Sequence, residues 1–279
     1  MSPQTLFEPF YRRIGMLDPH TKIEENLPTG NVIGFPVTSL SFQAQISVMM
    51  EWAKNRLSKV VCIANVHMLI EAYRDQEFTP ILNGADLVTP DGMPLVWMLR
   101  LQGAHRQERV PGLDVMFSLC KQASIEGVSI FFLGSQSVIL KQMRTRLEHE
   151  FPNLKIAGME PLPFRPLTIA EDEAIIQQLN QSGAGILFLA LGCPKQEKWM
   201  FAHKDRVQMV MIGLGGAFPV YAGTHRHAPK FVRLAGLEWL YRLLQEPQRL
   251  WGRYSSTIPI FLWLALKQLL TSGKVSCRN

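Results

Sequence analysis

A carboxylate, a glutamine, a lysine and a set of glycines fall where short apolar runs end. Asp91 closes the run DLVTP in the turn Thr89-Pro90-Asp91-Gly92. A carboxylate held at a strand end can take the proton of an attacking hydroxyl; the same residue is equally at home in a type I turn. The hexapeptide Gly192-Cys193-Pro194-Lys195-Gln196-Glu197 follows another apolar run. Pro194 suits the first turn of a helix. That start puts Lys195 within reach of a phosphate, lets Gln196 donate to a sugar or phosphate oxygen, and makes Glu197 a favourable first-turn charge. Gly134-Ser135-Gln136-Ser137 ends one run and opens a helix, leaving free N–H groups for an anion. Asn65 and residues 213–218, with Gly215 and Gly216, complete a polar, glycine-rich set. Any one of these glycines is also explained by a tight turn.

Kinase-like and P-loop chemistry is set aside. There is no G-x-x-x-x-G-K-[ST], and GLGGAF falls short of the full G-x-G-x-x-G spacing. No D-x-D segment could clamp a divalent ion against a diphosphate. His67, His105, His149 and His203 are dispersed singly, and His225 and His227 lack further ligands nearby. No metal site is therefore expected.

The elements that must position these residues follow from the hydrophobic pattern. Short apolar runs alternate with helix-period segments: NVIGFPV then 40–56, VVCIAN then 66–75, DLVTPDG then 94–101 and 113–126, SIFFLGS then 138–151, KIAGME then 169–181, GILFLALG then 195–203, and QMVMIGLG. SIFFLG and GILFLALG are apolar at every position, so helices should cover both faces. The expected fold is α/β, a doubly wound, mainly parallel Rossmann-like sheet over residues 31–222. Ligands bind at the C-terminal edge of such sheets, where the polar set falls. The alternation within 31–222 implies a core that folds without the rest. Residues 1–30 form an N-terminal extension, and residues 223–279 a basic, amphipathic helical appendage.

The appendage concentrates charge. Residues 224–254 carry six Lys/Arg against Glu238 and Glu246, and residues 255–279 carry three Lys/Arg and no acid, a surplus of seven in a chain of net charge +6. A bare basic tail would suit nucleic acid. Interleaving with Trp239, Leu240, Tyr241, Leu244 and Trp251 points instead to an anionic membrane surface, or to a terminal helix closing the core with arginine stems over apolar surface. The apolar run 258–266 is too short to span a bilayer and contains Pro259, so it reads as interfacial or packed. Cys62, Cys120, Cys193 and Cys277 lack C-x-x-C spacing and read as reduced thiols. The start MSPQTLFEPFYRRIG has neither an apolar h-region nor a cleavage site. The expectation is a cytoplasmic protein, peripheral on the inner face of the cell membrane.

In order along the chain, PDGMP, FLGS, LGCPKQEKW, GLGGAF and HRHAPKFVRLAGLEWLYRLLQEPQRLWGRY resemble the WecG/TagA/CpsF family of bacterial glycosyltransferases, glycosyltransferase family 26, over about residues 31–254. The last block is the most specific. The resemblance implies an inverting, metal-independent transfer of a sugar from a UDP-sugar to a polyprenyl-diphosphate-linked glycan, in cell-surface polysaccharide synthesis. The sugar is N-acetylmannosamine, its uronic acid or another hexose. No cofactor is implied, since the UDP-sugar is a substrate. By motif, Asp91 takes the place of the proposed base and Gln196 that of the glutamine in G-C-P-[KR]-Q-E. Asn65 corresponds to the polar residue after an early strand. Gly92, Gly134, Ser135, Gly192, Lys195, Gly215 and Gly216 fall to substrate binding, and Arg226, Arg233, Arg242 and Arg249 to the acceptor and membrane. Nucleic acid is not an expected partner, and a homo-oligomer is compatible with all of this.

Two departures stand out. Many relatives carry Thr where this chain has Ile63, and F-D-F where it has Phe218-Pro219-Val220. They imply a donor other than N-acetylmannosamine or an altered nucleotide pose. Two further readings remain open: a nicotinamide-dependent oxidoreductase, on the α/β pattern and GLGGAF, and a non-catalytic membrane-surface adaptor, on the basic appendage alone.

Overall fold

The computed structural model describes residues 27–163, 165–225, 228–234 and 236–272. Most of the expected extension 1–30, with Arg226, His227 and Cys277, lies outside the described residues, as does the side chain of Arg249. The strands are β1 (Thr29–Val32), β2 (Phe35–Thr38), β3 (Lys59–Ala64), β4 (Leu87–Pro90), β5 (Ser129–Gly134), β6 (Lys155–Glu160), β7 (Ile186–Ala190) and β8 (Val210–Gly213). The helices through the α/β region are α1 (Phe42–Lys54), α2 (Val66–Arg74), α3 (Thr79–Asn83), α4 (Met93–Leu101), α5 (Gly112–Glu126), α6 (Ser137–Glu150), α7 (Ile169–Gln181), α8 (Lys195–Ala202) and α9 (Ala217–Tyr221). The C-terminal segment adds α10 (Lys230–Leu234), α11 (Glu238–Gln245) and α12 (Pro247–Ser272).

Six strands form one sheet in the order β4-β3-β8-β7-β5-β6, every pairing parallel. Strand side chains alternate between two cores, as a period of two demands. Phe131, Leu133, Leu187, Leu189 and Met211 face the side covered by α2, α4, α7 and α8. Ile130, Phe132, Ile186, Phe188 and Ile212 face α1, α5, α6 and α9. The expected doubly wound fold is thus present.

NVIGFPV departs from expectation. It is no strand of the sheet but an antiparallel hairpin, β1 with β2, turning at Ile33 and Gly34, both at positive φ (48° and 98°). Two left-handed residues make the turn whose twist matches paired strands. The hairpin shields the β4 edge, where the Val88 N–H donates to Thr38 Oγ1 at 3.1 Å.

The appendage is not detached from the core. Along α12, Thr257, Phe261 and Ala265 are buried, and Phe261 and Ala265 join the same core cluster as Met68 and Leu69 of α2. Gln268 reaches back to the hairpin, its Nε2 donating to the Asn31 carbonyl at 2.6 Å and its Oε1 accepting from the Ile33 N–H at 2.7 Å. The run 258–266 is both packed and exposed: Phe261 turns inward, while Leu262, Trp263 and Leu266 face outward. Among the described residues no helix is long and apolar enough to cross a membrane.

Candidate active site

β4 ends at Pro90, and the next two residues turn across the tip of its neighbour β3. The Asp91 and Gly92 N–H groups both donate to the Ala64 carbonyl, at 2.9 and 3.4 Å. Gly92 then caps α4, and a Cβ built on it would lie 3.5 Å from the Cα of Asn65. Asn65 caps α2 by accepting from the Met68 N–H at 3.2 Å. Asn65, Asp91 and Gly92 therefore meet at one strand edge, as the sequence placed them.

Sequence reasoning missed Arg109. The loop between α4 and α5 swings it onto Asp91, with Nη2 2.9 Å and Nε 3.3 Å from Oδ1, and Nε also donating to the Asp91 carbonyl. Nη2 is shared: it lies 2.6 Å from Oε2 of Glu238, the first residue of α11. Oε1 of Glu238 in turn accepts from Arg242 at 2.7 Å. Arg242 reaches the glycine rim, since a Cβ built on Gly216 would lie 3.7 Å from its Nη1. Asp91, Arg109, Glu238 and Arg242 thus form one chain of alternating charge from the strand edge into the appendage. A signal for Arg109 existed. A helix that precedes a strand starts at the sheet's C-terminal edge, and Arg109 stands three residues before α5, which precedes β5.

The electrostatics suit proton transfer. Burial pushes the Asp91 carboxyl above the ordinary aspartate range; Arg109 opposes this and Glu238 reinforces it. The Asp91 side chain is still 25% exposed, and its Oδ2 makes no hydrogen bond among the described residues. Burial opposes the charge on Arg109, but Asp91 and Glu238 more than compensate and fix it as a cation.

A second group of predicted residues gathers between β5 and β7. Their onward connections run in opposite directions, β5 to β6 and β7 to β8, which opens a crevice at the strand ends. Gly134 is at φ 94°, and a Cβ there would stand 2.9 Å from the Ala190 carbonyl oxygen, so only glycine fits. Ser135 follows at φ 66°, its N–H on the same carbonyl at 3.1 Å. Gln196 lies under the glycines rather than on the surface. It is 4% exposed, accepts from the Gly192 N–H at 3.2 Å, and donates to Glu197 at 2.8 Å. A Cβ on Gly213 or Gly215 would come within 2.7 or 3.2 Å of its amide. Gln196 therefore sets the shape of the Gly192 and Gly215 loops. Lys195 stands exposed at the start of α8. Arg233, by contrast, turns back to the Ala228 carbonyl at 3.1 Å.

Glu197 is no surface charge at a helix start. It is fully buried, and burial pushes its carboxyl up to about 7, against hydrogen bonds from Gln196 and Cys193. Oε2 has no partner. Because the folded state holds this proton more tightly than the unfolded chain, stability falls as pH rises from about 4.3 to about 7 and stays lower above that. Glu197→Gln is expected to remove this slope, on the order of 3 kcal/mol across the window. Urea unfolding of both proteins from pH 4 to 8 checks this; parallel pH profiles would refute it.

Ile63 is buried in the α5 side of the core, within reach of Gly112, and Phe218 is fully buried beside Phe132. His203 is held between Trp199, which it stacks on, and Asp172 at 2.7 Å. Among the described residues no group of three His, Cys, Asp or Glu is placed to hold a metal. Beyond Arg109, a cavity of about 790 Å³ opens between α1, α5, α6 and α9, lined by Phe42, Glu108, Phe117, Arg146 and Tyr221 among others.

Comparison with known proteins gives a family and named relatives. The description "Glycosyl transferase WecG/TagA/CpsF family" belongs to the family pattern that matches residues 30–275. A protein of Bacillus spizizenii (strain ATCC 23059 / NRRL B-14472 / W23) is 33% identical over 217 residues, 77% of this chain and 81% of its own. It is called N-acetylglucosaminyldiphosphoundecaprenol N-acetyl-beta-D-mannosaminyltransferase. Proteins of the same name from Bacillus subtilis (strain 168) and Staphylococcus aureus (strain MW2) are 31% and 28% identical, covering 76% and 74% of this chain and 81% and 79% of theirs.

Proposed function

Since the chain belongs to the glycosyl transferase WecG/TagA/CpsF family and is a glycosyltransferase, we propose that it moves an N-acetylmannosaminyl group from a UDP donor to N-acetylglucosaminyldiphosphoundecaprenol. The names of the relatives support the acceptor and the sugar. The observation that carries the chemistry is the Asp91 carboxylate, with Oδ1 held by Arg109 and Oδ2 open at the strand edge. Family membership also leaves no ground for the oxidoreductase and adaptor readings.

In this reading Asp91 Oδ2 takes the proton of the acceptor hydroxyl as its oxygen bonds to the anomeric carbon. The bond from that carbon to UDP breaks, its electron pair leaves on the β-phosphate oxygen, and the anomeric centre inverts. The departing diphosphate carries the developing charge. Backbone N–H groups in the first turn of α6, which opens at Ser137 with no side-chain cap, together with Lys195 and Arg242, are the donors we assign to it, with no metal. Gln196 acts through the Gly192 and Gly215 loops, as a positioning residue. Trp251, Leu262, Trp263 and Leu266, all exposed beside the basic residues of the appendage, suit docking on the anionic inner face of the membrane.

The test is direct. Protein is mixed with N-acetylglucosaminyldiphosphoundecaprenol in vesicles and UDP-N-acetylmannosamine, and UDP release and the mass of the lipid are followed. Equal amounts of UDP and disaccharide-lipid are expected. Transfer from a different UDP-hexose only would overturn the donor assignment, and no transfer from a full panel would overturn the reaction.

A further inference from the structure

An arginine fork ordinarily closes on a carboxylate with two parallel hydrogen bonds, one to each oxygen. Arg109 does not do this to Asp91. Its Nη2 and Nε both address Oδ1, and Nη2 is divided with Glu238 Oε2 at 2.6 Å. Glu238 is only 13% exposed and is anchored from the far side by Arg242 at 2.7 Å. A carboxylate brought this deep by a helix of the appendage, beside a second carboxylate, is costly unless both share the cations present.

We propose that Glu238 is a positioning residue for the transfer: from α11 it draws Arg109 away from a two-oxygen clasp on Asp91 and keeps Oδ2 turned free for the acceptor hydroxyl. This rests on the reading of Asp91 as the base. Glu238 is then the means by which the appendage reaches the chemistry, because the pair assembles only when α11 is seated. Among the described residues, the ionisable groups that act on Asp91 are Arg109, from the loop between α4 and α5, and Glu238 and Arg242, from α11. Glu238 raises the proton affinity of Asp91, whereas Arg109 and Arg242 lower it.

The two α11 residues should therefore shift the reaction in opposite directions. The pH profile of kcat/KM is measured with UDP-N-acetylmannosamine and N-acetylglucosaminyldiphosphoundecaprenol for wild type, Glu238→Gln, Glu238→Asp, Arg242→Gln and Asp91→Asn, with thermal unfolding of each. Glu238→Gln is expected to move the acid limb to lower pH by roughly one unit, as Arg109 closes on Asp91, and to lower the plateau on the order of tenfold. Glu238→Asp should restore much of both, and Arg242→Gln should move the limb to higher pH. An acid limb that stays fixed in both Glu238→Gln and Arg242→Gln, with Asp91→Asn inactive, overturns this inference alone and leaves a structural ion pair. An active Asp91→Asn overturns the base assignment beneath it as well. Should Glu238→Gln not fold, Arg242→Gln decides the matter: a limb moved to higher pH supports the inference and a fixed limb overturns it.

Discussion

Replacing Asp91 by Asn is expected to lower kcat by roughly 10²- to 10⁴-fold, the usual cost of losing a general base. The substitution keeps the size of the side chain, and the amide oxygen can still accept from Arg109. Arg109 also retains Glu238 as a counter-ion, so no buried cation is stranded. The fold and the binding of the UDP-sugar should therefore survive. Ligand-dependent protection against thermal unfolding measures the second, because a ligand that binds only the native state stabilises it. A variant that turns over within a few-fold of wild type would return Asp91 to the role of a turn residue.

Ending the chain after Glu246 is expected to destabilise the whole protein and not merely release it from membranes. The deletion removes Leu250, Phe261 and Ala265 from buried positions, along with both hydrogen bonds at Gln268 and the one that Arg74 donates to the Ser256 carbonyl. Burying one large apolar side chain stabilises by about 1.5–3 kcal/mol, and the face of α2 that carries Met68 and Leu69 loses its cover. Against a typical total of about 5–15 kcal/mol, the loss is large. Calorimetry should find a midpoint more than about 10 °C lower, or no cooperative transition at all. A truncated protein melting within a few degrees of the full chain would make α12 a dispensable attachment.

That second result runs against the sequence expectation of a core complete at residue 222, and the reason is physical. Alternation of period two and 3.6 locates strands and helices but carries no record of which exposed-looking helix covers which bare face. SIFFLG and GILFLALG were legible because strands buried on both sides are apolar throughout. NVIGFPV has the same apolar density, yet Ile33 and Gly34 turn it into a hairpin; a β-branched residue at positive φ is not a usual turn signal. At the site, Asp91, Asn65, Gly92 and the glycines were legible by their position after strands. Glu238 was not: a glutamate opening a helix reads as a favourable dipole charge on the surface, and only the packing of α11 over the strand edge turns it inward. Glu197 hid in the same way. Gln196 was found, but as a donor to substrate; its burial beneath Gly213 and Gly215 gives it the loops to hold.

The clasp of Gln268 on Asn31 and Ile33 joins positions 237 and 235 residues apart in sequence. Chains leave the ribosome from the N-terminus, so the β1–β2 hairpin emerges before all six strands of the sheet and must wait for α12 before this partner exists. Contacts of such separation close only after a long loop has been ordered. The helix that completes them also carries the outward-facing Leu262, Trp263 and Leu266. The outward-facing apolar side chains of α12 are thus set in place late, after every strand of the sheet has been synthesised.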